Sequence, residues 1–136
     1  MLEVKIFTLY PDLFPGPLDM GIYKKAKENK IWDIRVINIR DYSTDGRGSV
    51  DDTPFGGGSG MLLRPDVVAS ALDKNTKSGE KIIYLSPKGK KFDQHEARSI
   101  SKLNKLNILC GHFEGIDQRL LETRNIEEYS LSLIHI

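Results

Sequence analysis

The fold is decided by residues 82–110, IIYLSPKGKKFDQHEARSISKLNKLNILC, where two apolar runs flank a polar segment of helical pattern. The first run, at 82–85, is continuous rather than alternating, which is typical of a buried strand in a parallel sheet. Asp93 is placed to cap the helix that follows, and the second run, at 106–110, predicts the next strand. A strand, a helix and a strand in this order indicate one βαβ unit.

The chain on the N-terminal side of this unit has the same kind of pattern. Residues 3–8 alternate in polarity, which predicts a short strand. Leu18, Ile22 and Ala26 then recur every four residues among lysines, which is the pattern of an amphipathic helix. Residues 31–39 are rich in β-branched and aromatic side chains and predict a second strand.

Two more helices and a last strand complete the pattern. A helix begins near Arg64, with Pro65 suited to its first turn. Residues 118–124 predict one or two helical turns, and a last strand begins at Ile126. The apolar face of the first of these helices is predicted to be Val68, Ala71 and Leu72. This alternation predicts an α/β fold with a mainly parallel sheet and helices on both faces.

Three connections are predicted to meet at one edge of this sheet. Ligands of open parallel sheets bind beyond the carboxyl ends of the strands. The predicted strands end before a loop at 86–91, before a second loop at 111–117, and after Glu128. The candidate site is therefore built from these three segments.

Composition and charge exclude several classes of protein. A chain of 136 residues corresponds to about one domain, and 20 basic against 19 acidic side chains leave a net charge of +1, so no overall field attracts a polyanion. Cys110 is the single cysteine, which excludes an intramolecular disulfide and the paired-cysteine zinc motifs and fits a reducing cytoplasm. No apolar run approaches the roughly 18 residues of a membrane span. We therefore expect a cytoplasmic protein without a membrane segment.

Residues 40–60 form the longest predicted loop, and it is rich in glycine between residues 46 and 60. A loop of this length in a small domain is usually functional or disordered. The run at 56–60 lacks the Gly-Lys-Ser/Thr of a phosphate loop, and Met61 and the absence of a preceding strand argue against the dinucleotide fingerprint. A glycine hinge and a loop that lets the backbone approach a large ligand both remain open. The glycines concerned are Gly46, Gly48, Gly56, Gly57, Gly58 and Gly60.

Charged residues near the glycines have alternative roles. The adjacent carboxylates Asp51 and Asp52 could bind a cation, orient a base edge or form a solvated turn. Arg47 could contact a phosphate or be an exposed loop arginine. For the two aspartates taken alone, the solvated turn is the favoured interpretation, and for Arg47 both roles stay open.

The second glycine-bearing loop concentrates reactive side chains. Phe113 could stack on an aromatic ligand, and Glu114 could face a ligand cation. Asp117 could cap the following helix or pair with Arg119. Cys110, at the end of a strand, is predicted to be a buried apolar residue rather than a nucleophile.

Five segments occur together that resemble one known family. They are FPGPL at 14–18, NIRDYSTD at 38–45, VDDTPFGGGSGM at 50–61, YLSPKG at 84–89 and CGHFEGID at 110–117. In this order they resemble the bacterial tRNA (guanine-37-N1) methyltransferases of the SPOUT class. The resemblance covers nearly all of residues 1–131.

The resemblance implies a fold, a cofactor and partners. It implies a parallel α/β domain with a deep trefoil knot, a homodimer, and methyl transfer from S-adenosyl-L-methionine to N1 of guanine 37 in tRNA, with Mg²⁺ as a further candidate ion. The cofactor would lie among three loops, represented here by Tyr84, Leu85, Ser86, Pro87, Gly111, Phe113, Glu114, Gly115, Ser130 and Leu131. The tRNA would meet Arg47, Asp51, Asp52, Gly56, Gly57, Gly58 and Gly60.

The sequence also departs from the family. Arg47-Gly48 stands where relatives have His-Arg, and His112 stands where they have Arg, which removes or weakens two cations. The catalytic aspartate and arginine of the family fall after the third loop, so no residue of this chain is assigned to catalysis.

The end of the chain differs as well. Residues 1–131 are expected to form the cofactor domain, 132–136 a non-matching tail, and the C-terminal tRNA-binding helical domain is expected to be absent. The chain is therefore expected to be inactive or nearly so alone, and the length of its tail leaves open whether the knot of the family is complete. The alternative is a noncatalytic RNA-binding or dimerisation module with the same fold.

Overall fold

A parallel sheet forms the centre of the chain, which the computed structural model describes over residues 1–43, 51–52, 62–111 and 116–131. The strands there are β1 (Leu2–Thr8), β2 (Trp32–Asn38), β3 (Asp51–Asp52), β4 (Leu62–Leu63), β5 (Lys81–Lys91), β6 (Lys105–Leu109) and β7 (Glu127–Ser130). Five of them form one sheet in the order β2-β1-β6-β5-β7, and every neighbouring pair is parallel. The predicted parallel sheet is confirmed.

The α-helices of the described residues connect these strands. They are α1 (Gly21–Glu28), α2 (Pro65–Asn75), α3 (Gln94–Ser101) and α4 (Gln118–Thr123). The Asp93 carboxylate accepts from the Glu96 N–H at 2.9 Å and caps α3, as predicted. The Asp117 carboxylate caps α4 by accepting from the Arg119 N–H at 2.9 Å.

Helices pack on both faces of the sheet, which confirms the predicted layers. The predicted face of α2 is buried, joined by Val67, and contributes with Leu120 and Leu121 of α4 to the larger core. On the opposite face, Ile100 of α3 packs in a smaller cluster with Ile83, Leu106 and Tyr129. The knot that the resemblance implies stays a prediction.

The amphipathic pattern around α1 is partly misleading. Leu18 lies in a separate 3-10 turn (Gly16–Asp19), and the α-helix begins only at Gly21. Ile22, which the pattern places on an apolar face, is 76% exposed, and α1 has no buried residue. The pattern therefore correctly predicted apolar residues on α1, but the described part of the chain does not bury them.

The predicted loop at 86–91 is wrong in part, because β5 runs to Lys91. Both Leu85 and Lys90 stand opposite Tyr129 of β7, so the chain makes an excursion over residues 86–89 and then resumes the same pairing. Pro87 and Gly89 indicate a loop in the sequence. The local sequence contains no signal that β5 pairs with β7 again after residue 89.

The predicted loop at 40–60 also contains short ordered elements. A 3-10 turn (Ile39–Tyr42) opens it, and β3 pairs antiparallel with β4 in a separate two-stranded sheet. The backbone of Asp51 and Asp52 is therefore a strand, and the solvated-turn interpretation is wrong. Residues 44–50 and 53–61 lie outside the described residues. Among the helices that the structure describes, none has the length and hydrophobicity required to cross a bilayer.

Candidate functional site

Adjacent strands bring predicted site residues to one edge of the sheet. We call this the carboxyl edge: the ends of β5, β6 and β7 with the residues that follow, 84–89, 109–111 and 128–131. Because parallel strands end at the same side, the three segments are neighbours. The arrangement expected from the order of strands and loops is present in the described parts of all three.

The first and second segments touch at Tyr84 and Gly111. A Cβ atom on Gly111 would lie 2.5 Å from Cε1 and 2.8 Å from the hydroxyl oxygen of Tyr84, so a larger residue would have to displace the ring. Burial raises the pKa of the Tyr84 phenol, and the negative charge of Glu128 raises it further. Tyr84 is therefore held neutral and packed against the second segment.

Ser86 links the first segment to β7. Its hydroxyl donates to the carboxylate of Glu128, and its oxygen accepts from the Lys88 N–H at 3.2 Å. Glu128 is not among the site residues predicted from the sequence. In the parallel pairing of β5 with β7, Glu128 stands opposite Tyr84. The two-residue period of a strand would therefore have identified Glu128 if this pairing had been known.

The third segment meets the first through its backbone. Gly89 lies so close to β7 that a Cβ there would stand 2.5 Å from the Tyr129 nitrogen and 2.6 Å from the Glu128 carbonyl carbon. Ser130 is buried, and its carbonyl accepts from the Phe92 N–H at 2.9 Å. These contacts fix the end of β7 against the end of β5.

Exposed apolar side chains lie at this edge. Leu85 is 38% exposed and Leu131 is 59% exposed, and Pro87 is also exposed. Leu131 follows Tyr129, the partner of Leu85, by two residues. Beside this apolar surface, the backbone of residues 86–89 is not paired with β7. Such a combination suits a ligand with a flat aromatic part and polar edges.

Tyr129 carries the main electrostatic cluster beneath this edge. Its fully buried hydroxyl lies 2.9 Å from a Glu127 carboxylate oxygen and 3.1 Å from one of Glu96. Burial, and then these hydrogen bonds, raise the pKa of Tyr129 to about 12. The ammonium groups of Lys81 and Lys90 lie 5.6 and 5.0 Å from the centre of its ring. The cluster joins β7 to α3 and β5, and the Tyr129 phenol stays protonated at neutral pH.

Other predicted site residues are not tested by the geometry. Phe113, Glu114 and Gly115 lie outside the described residues, as do Arg47 and the four glycines Gly56, Gly57, Gly58 and Gly60. For Asp51 and Asp52 the structure gives the backbone pairing with β4. The partial burial of Cys110 raises the pKa of its thiol, which agrees with the predicted unreactive side chain.

A large groove lies beside the carboxyl edge. Its volume is about 1000 Å³, and it is lined by the residues before β5 and β7 and by the first residues of these strands, with Glu128 among them. Ion pairs between Lys81 and Glu127 and between Arg124 and Asp73 line it. None of the predicted cofactor residues is among its walls. In the described part of the chain, no group of three His, Cys, Asp or Glu side chains could hold a metal ion, so Mg²⁺ gains no support there.

Comparison with known proteins gives one consistent match. The family described as tRNA (Guanine-1)-methyltransferase TrmD matches residues 2–133. A tRNA (guanine-N(1)-)-methyltransferase of Pelagibacter ubique (strain HTCC1062) is 60% identical over 131 residues, covering 96% of this chain and 58% of that protein.

More distant relatives have the same name. The protein of Alkaliphilus oremlandii (strain OhILAs) is 46% identical, covering 94% of this chain and 55% of its own length. The protein of Wolbachia sp. subsp. Brugia malayi (strain TRS) is also 46% identical, and the match covers 96% of this chain and 57% of that protein. The chain thus spans little more than half the length of these curated relatives.

Proposed function

Because the chain belongs to the tRNA (Guanine-1)-methyltransferase TrmD family, we propose that its carboxyl edge binds S-adenosylmethionine in a tRNA (guanine-N1)-methyltransferase. The observation that carries the proposal is the contact among three segments which the resemblance assigns to the cofactor. Tyr84 packs on Gly111, and Ser86 and Gly89 contact β7.

The proposed site holds the cofactor by shape and polarity. Bound S-adenosylmethionine supplies an electrophilic methyl group on a sulfonium. Leu85, Pro87 and Leu131 would cover the adenosyl group, and the backbone of residues 86–89 would bind its polar edges. Glu114 would face the positively charged end, and the other proposed contacts are Tyr84, Ser86, Gly111, Phe113, Gly115 and Ser130.

The reaction we propose moves a methyl group from sulfur to N1 of guanine 37. The S–CH₃ bond breaks as the N1–CH₃ bond forms, the sulfur keeps the electron pair, and the N1 proton passes to a carboxylate base. The described residues would contribute orientation, because in-line transfer depends on holding the two reactants in one geometry. The acid–base group is not assigned to a residue of this chain. The proposed tRNA contacts are Arg47, Asp51, Asp52 and the glycines of residues 56–60, and the proposed location is the cytoplasm.

Calorimetric titration of the chain with S-adenosylmethionine tests the proposed function. We expect saturable binding that Glu114→Ala weakens, because a carboxylate near the sulfonium is lost, while Glu122→Ala on the exposed side of α4 leaves it unchanged. Titration with ATP serves as the control for a general nucleotide site. Absence of S-adenosylmethionine binding would contradict the proposal, and retained RNA binding would then support the noncatalytic module.

We also propose that the chain forms a homodimer through the surface of residues 13–23. Large apolar side chains are exposed there, which is typical of an interaction surface. They are Leu13, Leu18, Met20, Ile22 and Tyr23. Sedimentation equilibrium should give the mass of two copies for the wild type, one copy for Ile22→Glu, and two for the control Lys102→Glu, an exposed residue after α3. A dimer that survives Ile22→Glu would place the interface elsewhere.

A further inference from the structure

Ser86 connects two groups that are distant in sequence. A serine hydroxyl has one proton to donate and lone pairs that accept. Here the proton goes to the Glu128 carboxylate, and a lone pair accepts from the Lys88 N–H at 3.2 Å. The carboxylate thereby fixes the rotation of the hydroxyl and aims its lone pairs at the backbone two residues on.

The position of this contact matters because residues 86–89 leave the strand pairing. Leu85 and Lys90 both pair with Tyr129, so the β5–β7 ladder does not hold the residues between them. The close approach of Gly89 to the β7 backbone fixes the far end of the excursion. The near end depends on Ser86, and the partner of Ser86 on β7 is Glu128.

The location of Glu128 on a paired strand allows it to hold Ser86, and with it the excursion, in one position. Glu128 lies on β7 opposite Tyr84 of β5. It is half-buried, and its carboxylate accepts from Ser86. A hydrogen bond to an ionised acceptor is stronger than one between neutral groups. The excursion is therefore held before any ligand arrives, which lowers the entropic cost of binding.

We propose that Glu128 is a positioning residue, whose carboxylate sets the course of residues 86–89 through Ser86 and so prepares their backbone to bind the cofactor. The effect on cofactor binding rests on the proposed function, whereas the shape of the excursion is a property of the chain without a ligand.

Amide hydrogen exchange of the ligand-free chain tests the positioning. Glu128→Ala should make the Lys88 N–H exchange about tenfold faster, since Ser86 loses its orienting partner. Glu128→Gln should retain most of the protection, because the amide oxygen still accepts from the hydroxyl. Glu122→Ala should change nothing. Unchanged exchange at Lys88 in Glu128→Ala, or an equal acceleration at the buried amides of β1, would overturn the proposal.

Titration with S-adenosylmethionine tests the consequence for binding. Glu128→Ala and Ser86→Ala should each weaken binding about tenfold, and the double variant should be no weaker than either one, because both remove the same link. Additive losses or unchanged affinity would overturn the role of Glu128 in cofactor binding. If the wild type binds no S-adenosylmethionine, the proposed function fails, and the exchange measurement alone still decides whether Glu128 positions the excursion.

Discussion

The two edges of the sheet are built from different kinds of contact. At the starts of the strands, which we call the amino edge (residues 2–3, 81, 105 and 127), side chains that are at least partly exposed form ion pairs such as Lys105 with Glu3 at 2.8 Å and Lys81 with Glu127 at 2.6 Å. At the carboxyl edge, backbone approaches backbone at Gly89, and the Tyr84 ring lies beside Gly111, within 3 Å of the position that an added Cβ would take.

The difference indicates which edge can change without affecting the fold. Long charged side chains adjust their rotamers, and water replaces a lost partner, so surface ion pairs contribute little. A packed backbone contact leaves no space for an added atom. The carboxyl edge is therefore the pre-shaped part of the sheet, as a binding site requires, and the amino edge is the tolerant part.

The largest expected effect comes from Gly89→Ala. The new Cβ would overlap the backbone of β7, 2.5 Å from the Tyr129 nitrogen, and a strand cannot move as a side chain can. We expect a loss of about 3 kcal/mol or more in the free energy of unfolding, measured by urea denaturation.

Gly79→Ala is the matched control for this substitution. Gly79 has φ of +89°, and no atom lies within 4 Å of the position that an added Cβ would take, so alanine there meets conformational strain without a clash. The expected loss is about 1 kcal/mol. Equal losses at the two glycines would mean that the close approach at the carboxyl edge is not rigid.

Gly111→Ala should have the second largest effect. Its Cβ would meet the ring of Tyr84 at 2.5 Å, and a side chain can give way where a strand cannot. We expect a loss of about 2 kcal/mol in urea denaturation, and a smaller loss in a Tyr84→Phe background, which removes the hydroxyl oxygen from the crowded space. A loss that Tyr84→Phe does not reduce would contradict the role of this contact.

The layers of the fold could be predicted from sequence because burial leaves a periodic pattern. The face of α2 with Val68, Ala71 and Leu72 followed from spacing alone, and Asp93 and Asp117 followed from capping chemistry. The exposed position of Ile22 could not be predicted, since an apolar stripe does not specify what covers it.

The candidate site was predictable only in part for a related reason. The meeting of the first two segments at one edge followed from the rule that parallel strands end on the same side, whereas Tyr84 was named only through the family resemblance. The excursion at 86–89 and the role of Glu128 depend on which strand pairs with β5, and that pairing is a long-range property. Pro87 signals a break in regular structure but cannot signal that the ladder resumes.

Asp117→Ala tests a polar contact of intermediate strength. The Asp117 carboxylate accepts from the Arg119 side chain at 2.7 Å as well as from its N–H, and these bonds, the side-chain bond first, lower the pKa of the carboxyl group. The substitution should cost about 1 kcal/mol at pH 7, whereas Asp117→Asn, which can still cap α4, should cost less.

The pH dependence of Asp117 has a definite sign. Because its pKa is lower in the folded state, its stabilisation is fully present above the unfolded pKa of about 4 and is lost as pH falls through the folded value. Urea denaturation between pH 6 and pH 2 should therefore show a steeper loss for the wild type than for Asp117→Asn. Parallel curves would contradict the assigned contact.

The smallest effect is expected from Lys105→Met at the amino edge. Lys105 and Glu3 are each about half exposed, 47% for both side chains, so water and salt compete for the pair. Their hydrogen bond lowers the pKa of Glu3 and raises that of Lys105, yet both groups stay charged at neutral pH with or without the partner. We expect no measurable change in the urea midpoint, in low salt or in 1 M NaCl, whereas Leu106→Ala, one residue along β6 and 5% exposed, should lose about 3 kcal/mol. If Lys105→Met destabilised the chain as much as Asp117→Ala, the amino edge would be as tightly specified as the carboxyl edge, and rigidity would no longer distinguish the proposed site.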